Sequence, residues 1–174
     1  GEIISSKRNV CMMNPLSQEL DVMRQSFIFN TLEVIEHNQN RQNPDLKLFE
    51  FGKTYHKFDT GFTENKQLMV AITGRFEKEQ WNSKNELVSY YTIKGIVSAL
   101  FKRLGLDSFL TESALKNSVL QDGVQLTILK QKVGEIGWIT PDYKKHFGIK
   151  NDVFIADLDW DTILTCLNYA KIKY

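Results

Sequence analysis

The run Leu48-Phe49-Glu50-Phe51-Gly52-Lys53-Thr54-Tyr55 begins the series of closely spaced strands that decides the fold. Its aromatic and leucine side chains favour extended structure, and Gly52 is expected to break it into two pieces, the second reaching Phe58. A third strand is expected from Leu68 to Phe76. No helical pattern separates these three pieces, so the stretch predicts neighbouring strands that pair antiparallel.

More strands follow later in the chain. Val124-Gln125-Leu126-Thr127-Ile128 alternates apolar and polar residues, as is typical of a half-solvated strand. Residues 133–139 are its expected partner, with Gly134 and Gly137 allowing a bulge or a close backbone approach. A further strand is expected from Val153 to Ala156. Strands in neighbouring runs, separated by only a few helices, predict an α+β domain with an antiparallel sheet flanked by helices.

Helices are indicated by apolar residues at helical spacing. The first has Ser26 as its expected N-cap and ends before Pro44. The strongest runs from about Glu86 to Leu104, with Ser83 at capping-box spacing before it and Gly105 as its C′ residue. Its apolar stripe comprises Tyr90, Ile93, Val97, Leu100 and Leu104.

The composition is that of an ordinary globular chain. It has 174 residues, of which 42% are hydrophobic and 25% charged, and a formal net charge of +1. This balance excludes a disordered chain and gives no strong overall field to attract nucleic acid, a membrane or an acidic substrate. No linker divides the sequence, so a lead-in of residues 1–8 and a single core domain of residues 9–174 are expected.

The two cysteines are too far apart in sequence to form a metal-binding motif. Cys11 lies in the apolar run Val10–Met13, which is expected to be a buried strand, and Cys166 lies near the end of the sequence. Two buried, reduced thiols, with no apolar run long enough to span a bilayer, predict a cytoplasmic protein.

Independent active-site motifs are absent from the sequence, which contains no P-loop, GxGxxG, HExxH, GxSxG or EF-hand loop. The histidines are too scattered to indicate a metal site by spacing, although the fold can still bring them together. They are His37, His56 and His146.

The densest acidic group, which includes Asp152, raises a metal hypothesis, because Asp157, Asp159 and Asp161 would share one face of an extended strand. A solvated strand end explains the same residues, together with an N-cap at Asp159 or Asp161 for a final helix. The structural interpretation is favoured.

Two features raise the alternative of RNA binding. Trp81 and the pair Tyr90-Tyr91 have the flat rings on which bases stack, but Tyr90 fits the helix stripe and core packing is favoured for it. The run Lys144-Lys145-His146 is basic, but so short a run usually forms a solvated face.

Several blocks, in one order from about Asn9 to Leu164, resemble the β subunit of bacterial phenylalanyl-tRNA synthetase. They are Asn14-Pro15-Leu16-Ser17 leading to Leu20 and Ser26, Asn38 to Arg41, Leu48 to Tyr55, Trp81 ahead of Tyr91 to Gly95, Gly134 to Gly137 followed by Pro141, and Ile149 to Phe154 leading to Asp159. The family-motif residues expected to have structural roles are Asn14, Pro15, Arg24, Gly52, Trp81, Lys94, Gly95 and Gly137.

The resemblance implies a part of a larger enzyme, with a class II synthetase fold. The family's β subunit is several times longer, and its magnesium-binding acidic residues lie upstream of the matching segment. The implied whole is an α2β2 enzyme that attaches phenylalanine to its tRNA with ATP and Mg²⁺. No catalytic, cofactor-binding or metal-binding residue is expected in this segment.

The resemblance also implies that this part is catalytically silent. Class II active sites neutralise phosphate charge with an arginine of motif 2 and another at the end of a GxGxxR turn in motif 3. The segment Leu48 to Tyr55 resembles a remnant of motif 2, but His56 follows the tyrosine where the active subunit has arginine. None of the arginines ends a GxGxxR; they are Arg8, Arg24, Arg41, Arg75 and Arg103. A scaffold that packs against the α subunit is therefore expected.

Two other functions stay open from the sequence. One is unconventional ATP binding around His56 and Arg75, and the other is an RNA-binding module that uses Lys144 and Lys145. Phe27 and Phe29 are candidates for the α-subunit contact, although core positions are favoured for both.

Overall fold

The computed structural model describes residues 4–13, 21–76 and 86–171. Most of the strands form one antiparallel sheet of six, in the order β3-β4-β8-β7-β6-β5. These strands are β3 Leu46–Phe58, β4 Gly61–Thr73, β5 Leu110–Ala114, β6 Leu120–Ile128, β7 Gln131–Ile139 and β8 Val153–Asp159. The helices are α1 Ile28–Asn40, α2 Tyr90–Arg103, α3 Pro141–His146 and α4 Trp160–Lys171. The expected α+β class with a helix-flanked antiparallel sheet is confirmed.

The sheet separates two apolar clusters. On one face, α1 packs through Ile28, Leu32 and Ile35 against residues of β3, β4 and β8 that include Met69 and Ile155. On the other face, α2 and α4 pack against a second cluster, which contains Leu126, Ile136, Phe154 and Leu158 among others. Since side chains alternate along a strand, this division fixes which residues lie on the α1 face and which on the α2–α4 face.

The β3–β4 ribbon is longer than the sequence predicted. Gly52 was expected to break the first strand, but β3 is continuous from Leu46 to Phe58 and pairs with β4 along its whole length. Gly52 serves a close approach instead, because a Cβ there would lie 2.6 Å from Nη2 of Arg24. The expected strand from Leu68 to Phe76 begins earlier, at Gly61, because its polar first half pairs with the exposed half of β3.

The expected buried strand around Cys11 is wrong. β1, Val10–Cys11, pairs only with β2, Val22–Met23, in a separate two-stranded sheet, and Cys11 is exposed. The rest of the apolar run is also not buried, since Met12 and Met13 are exposed. Of the two expected buried thiols, only Cys166 is buried. In the lead-in, the Ser5 amide N–H and carbonyl both bond to the side chain of Gln25.

The ends of α1 and α2 agree with the predicted capping in part. Ser26 Oγ accepts the amide N–H of Ile28 at 3.1 Å, but the N-cap of α1 is Phe27, one residue later than expected, and it makes no side-chain cap bond. Helix α2 begins at Tyr90 rather than near Glu86, and the capping box pairs Ser89 with Thr92, whereas Ser83 lies outside the described residues.

The end of α2 and the start of α4 are as expected. Gly105 has φ +70° and, with Leu106, closes α2 by bonds to the carbonyls of Lys102 and Phe101, which is a Schellman motif. Asp159 caps α4, since its Oδ1 accepts the amide N–H of Thr162 at 3.0 Å.

Candidate functional site

The candidate site is a polar region on the α1 face of the sheet, beyond the part that α1 covers. The register places Met69, Asp157 and Glu135 side by side on β4, β8 and β7, and Gln67 beside Asp159 in the next row. This region forms a pocket of about 210 Å³. Its lining consists of Gln67, Lys132, Gly134, Glu135, Asp157 and Asp159.

Two of the three carboxylates in this pocket have partners. Glu135 is 9% exposed, and it accepts bonds from Asn117 Nδ2 at 2.6 Å and from Lys132 Nζ at 2.5 Å. Asp159 uses its two oxygens to accept the amide and the hydroxyl of Thr162 at the start of α4. These two carboxylates are therefore committed to structural contacts.

Asp157 differs from both. It is half-buried as a residue, but its Oδ1 is fully buried and has no hydrogen-bond partner among the described residues. Burial, and after it the charge of Glu135 directly opposite, raises the pKa of Asp157 to about 7. The charge of Lys132 acts the other way and that of Asp159 adds to the rise. Near neutral pH this carboxyl is therefore divided between its acid and its carboxylate.

The sequence predicted only part of this site. Asp157 and Asp159 share a face of β8 as expected, but Asp161 lies in α4 and accepts the backbone N–H of Lys66 at 2.7 Å. Gln67 and Glu135 were missed. A glutamate among the apolar residues and glycines of positions 133–139 was the available signal, but only the pairing of β7 with β8 places it opposite Asp157.

The metal hypothesis gains no support from the described part of the chain. No group of three or more histidine, cysteine, aspartate or glutamate side chains there could hold a metal ion. The histidines lie on separate elements, His37 on α1, His56 on β3 and His146 on α3.

His56 occupies the position next to Tyr55 where an active motif 2 is expected to carry arginine. Its ring stacks on Phe58 with centroids 6.2 Å apart. Burial, and after it the positive charge of Arg8, lowers the pKa of His56 below its ordinary value of 6.5. At neutral pH the imidazole is therefore mostly uncharged, and it lacks the fork of donors with which a guanidinium binds phosphate.

The alternative of an unconventional ATP site around His56 and Arg75 is not supported, because the two residues are not brought together. His56 pairs with Thr63 near one end of β4, and Arg75 follows the other end of that strand. At about 3.3 Å per residue, the two positions are about 40 Å apart along the ribbon. No phosphate can contact both side chains.

Arg24 is a positioning residue of the β3 strand. Its Nε donates to the carbonyl of Lys53 at 3.1 Å, its Nη1 lies 2.5 Å from Oε1 of Glu50, and its guanidinium lies 4.0 Å from the centroid of the Phe27 ring. These contacts join the segment before α1 to the β3 strand, and the missing side chain of Gly52 leaves the room they need. Arg24 is thus committed to the fold.

The other family-motif residues have the following positions. Lys94 Nζ, on α2, bonds to Glu112 at 2.7 Å, and Gly95 follows it on the same helix. A Cβ at Gly137 would lie 3.1 Å from the carbonyl oxygen of Gln121 on the neighbouring strand. Asn14, Pro15 and Trp81 lie outside the described residues.

The proposed RNA-binding features are weak in the structure. Tyr90 packs against the apolar cluster of the α2–α4 face, while Tyr91 is exposed. Lys144 lies 2.5 Å from Asp152, which reduces the positive charge of the short basic run. No helix among residues 4–13, 21–76 and 86–171 is long and apolar enough to cross a membrane.

The sheet and its helices define the class of fold. The pyrrolysyl-tRNA synthetase of Desulfitobacterium hafniense superposes with a TM-score of 0.66 over 90% of this chain and 52% of that chain, at 11% sequence identity. The fold is therefore that of the class II aminoacyl-tRNA synthetases. Residues 4–160 match the family described as the phenylalanyl tRNA synthetase beta chain CLM domain. The chain belongs to that family.

Relatives in bacteria agree with this assignment. The phenylalanine–tRNA ligase β subunit of Bacteroides fragilis is 35% identical over 99% of this chain, and that of Thermotoga maritima is 30% identical over 88% of it. The match covers 22% and 19% of those relatives, so the chain spans about a fifth of their length.

Proposed function

We propose that the chain is the non-catalytic core domain of a phenylalanine–tRNA ligase β subunit. It would support an α2β2 enzyme that attaches phenylalanine to its tRNA with ATP and Mg²⁺ in the cytoplasm. The observation that carries the proposal is His56, whose pKa lies below its ordinary value at the position where an active motif 2 needs a permanent positive charge. The family match supplies the context for it.

The domain is expected to be catalytically silent because the reaction brings negatively charged groups together. Adenylate formation brings a carboxylate against the α-phosphate of ATP, so fixed cations must neutralise negative charge in the transition state. On the α1 face of this sheet the described pocket instead presents three carboxyl groups and one ammonium group. Removal of one preorganised donor from such a site typically costs about 100-fold or more in rate.

Calorimetric titration of the 174-residue chain with MgATP, with and without phenylalanine, tests the silent assignment. We expect no saturable heat in either titration. Saturable, phenylalanine-dependent binding of ATP would overturn the assignment. The variant His56→Arg is a useful companion, because ATP binding gained by restoring that one charge would show that the lost arginine is the reason for silence.

The β3–β4 ribbon supports the scaffold part of the proposal. β3 is an edge strand of the sheet, and the side chains of Phe49 and Phe62 are 79% and 71% exposed on the α2–α4 face. Phe51, on the same face, packs edge-on against Trp160 of α4. Apolar side chains exposed along a sheet edge are typical of a surface that another protein covers. We assign this surface, hereafter the ribbon patch, to the α subunit.

Phe27 and Phe29 are not part of that surface. Phe27 is fully buried, as favoured, whereas Phe29 is partly buried and packs against Tyr143 and Phe147. The domain limits, a lead-in of residues 1–8 and a core of residues 9–174, remain part of the proposal.

A further inference from the structure

The pocket around Asp157 has a property that the scaffold function does not explain. Asp157 and Gln67 both line it, and one buried side-chain acceptor of each, Oδ1 and Oε1, has no hydrogen-bond partner among the described residues. A buried acceptor without a donor costs free energy comparable to that of a lost hydrogen bond, and more when it is charged. Two such atoms in one pocket indicate a site for a ligand that donates hydrogen bonds.

The two acceptors lie close enough to act together. Gln67 on β4 is diagonal to Asp157 on β8, since the register pairs Met69 with Asp157 and Gln67 with Asp159. Side chains in this diagonal relation lie about 7–8 Å apart at the backbone, within reach of one bound group. A single donor would leave one of the two acceptors unsatisfied.

The charged residues that line the pocket indicate which kind of hydrogen-bond donor it would bind. Among the described residues, Glu135, Asp157 and Asp159 line the pocket with Lys132 as the one cation, and Lys132 already bonds to Glu135. Gly134 adds no side chain to the wall, and its backbone lies against β8, since a Cβ there would be 2.5 Å from the carbonyl oxygen of Asp157. The pocket therefore favours a cation with several divergent N–H groups over an anion or a neutral donor.

We propose that this pocket binds a guanidinium group, with the side chains of Asp157 and Gln67 as its acceptors. A guanidinium is planar, weakly hydrated and has five N–H donors in a fixed fork, so it can satisfy two acceptors on different strands at once. The pocket volume of about 210 Å³ accommodates the group. The guanidinium can belong to a free small molecule or to an arginine side chain of a protein.

Binding of the cation should depend on pH. The groups that face Asp157 are Glu135 and Lys132 on β7, Asp159 on β8 and the neutral Gln67 on β4. Because burial holds the pKa of Asp157 at about 7 in the empty pocket, the carboxyl must lose a proton when the cation binds. Affinity should therefore rise by about tenfold for each pH unit between pH 5 and pH 7 and level off above that range.

The experiment is a titration of the 174-residue chain with methylguanidinium at pH 8, followed by amide chemical shifts in NMR spectra. We expect saturable shifts centred on β4, β7 and β8. The variant Asp157→Asn should weaken binding at least tenfold. The matched control Asp152→Asn removes a carboxylate that bonds to Lys144 outside the pocket, and should change affinity less than twofold.

Two further probes complete the experiment. One tests whether binding depends on the charge of the ligand or only on its shape, and the other tests whether the guanidinium comes from a small molecule or from an arginine side chain. N-methylurea is similar in shape but neutral, and should bind at least tenfold more weakly than methylguanidinium. An acetylated Gly-Arg-Gly amide that binds more tightly than methylguanidinium would identify an arginine side chain as the source, and weaker binding would identify a small molecule. Unsaturable shifts, equal binding of N-methylurea, or unchanged affinity in Asp157→Asn would each overturn the proposal.

Discussion

Replacement of Asp157 by asparagine should stabilise the chain, and the gain should grow with pH. The pKa of Asp157 is about 7 in the folded chain, against an ordinary value of 3.8. Below pH 3.8 the carboxyl is protonated in both the folded and the unfolded chain, so it contributes no pH dependence. Between pH 3.8 and 7 the unfolded chain loses the proton while the folded chain keeps it, so the free energy of unfolding falls as pH rises.

The magnitude follows from the two pKa values. A pKa difference of one corresponds to about 1.4 kcal/mol, so the full effect above pH 7 is about 4 kcal/mol, of which about 3 kcal/mol develops between pH 4.5 and pH 8. Asparagine has nearly the same shape and does not titrate. The free energy of unfolding of Asp157→Asn, minus that of the wild type, should therefore rise by about 3 kcal/mol over this pH range.

Urea unfolding followed by tryptophan fluorescence at several pH values measures this difference. Titration of all other groups is shared by the two proteins and cancels in the subtraction. Asp152→Asn serves as a control, because its carboxylate is in an exposed ion pair with Lys144 and should give a change below about 1 kcal/mol. A difference for Asp157→Asn that does not vary with pH would refute the reasoning about burial.

Three further substitutions test other parts of the structure. Gly52→Ala should lower the free energy of unfolding by about 1–2 kcal/mol in urea titrations, because the added Cβ would lie 2.6 Å from Nη2 of Arg24. Phe101→Ala removes a fully buried ring between α2 and the sheet and should cost about 3–5 kcal/mol in the same assay. Phe49→Ser combined with Phe62→Ser removes the exposed rings of the ribbon patch. It should change stability by less than about 1 kcal/mol but weaken α-subunit binding at least tenfold in surface plasmon resonance.

The outcomes that would contradict these three predictions are distinct. Unchanged stability in Gly52→Ala would mean that the Arg24 contacts do not restrict this strand. A loss below about 1 kcal/mol in Phe101→Ala would mean that this cluster does not carry the packing of α2. For the ribbon patch, Tyr91→Ser is the matched control, because Tyr91 is 81% exposed on α2, outside the patch. An equal loss of α-subunit binding in Tyr91→Ser would show that the ribbon patch is not the specific contact.

Local sequence signals predicted the elements whose residues act on their neighbours in the chain. The apolar spacing predicted α2, Gly105 predicted its end, and the alternation around Leu126 predicted β6. Each of these signals is strong because it depends on periodicity or on a backbone conformation that few residues adopt. The resemblance then supplied the family, which no single spacing could have supplied.

Long-range contacts account for what the sequence did not predict. Gly52 has the same local signal whether a strand breaks there or an arginine approaches from another segment, and only the tertiary structure decides between them. Asp157 is one of several aspartates in sequence, but burial in the sheet, and after it the charge of Glu135 on the paired strand, raises its pKa to about 7. The exposed Cys11 was missed because an apolar run carries no information about which sheet it joins.

The central claim is that this chain is a silent core that carries part of the assembly surface of a phenylalanine–tRNA ligase. Size-exclusion chromatography with light scattering, on the 174-residue chain alone and mixed with the α subunit, tests it most directly. We predict co-elution of the two proteins at one defined mass that exceeds either component. Separate elution at the masses of the two components would contradict the claim that this part of the β subunit holds the α subunit.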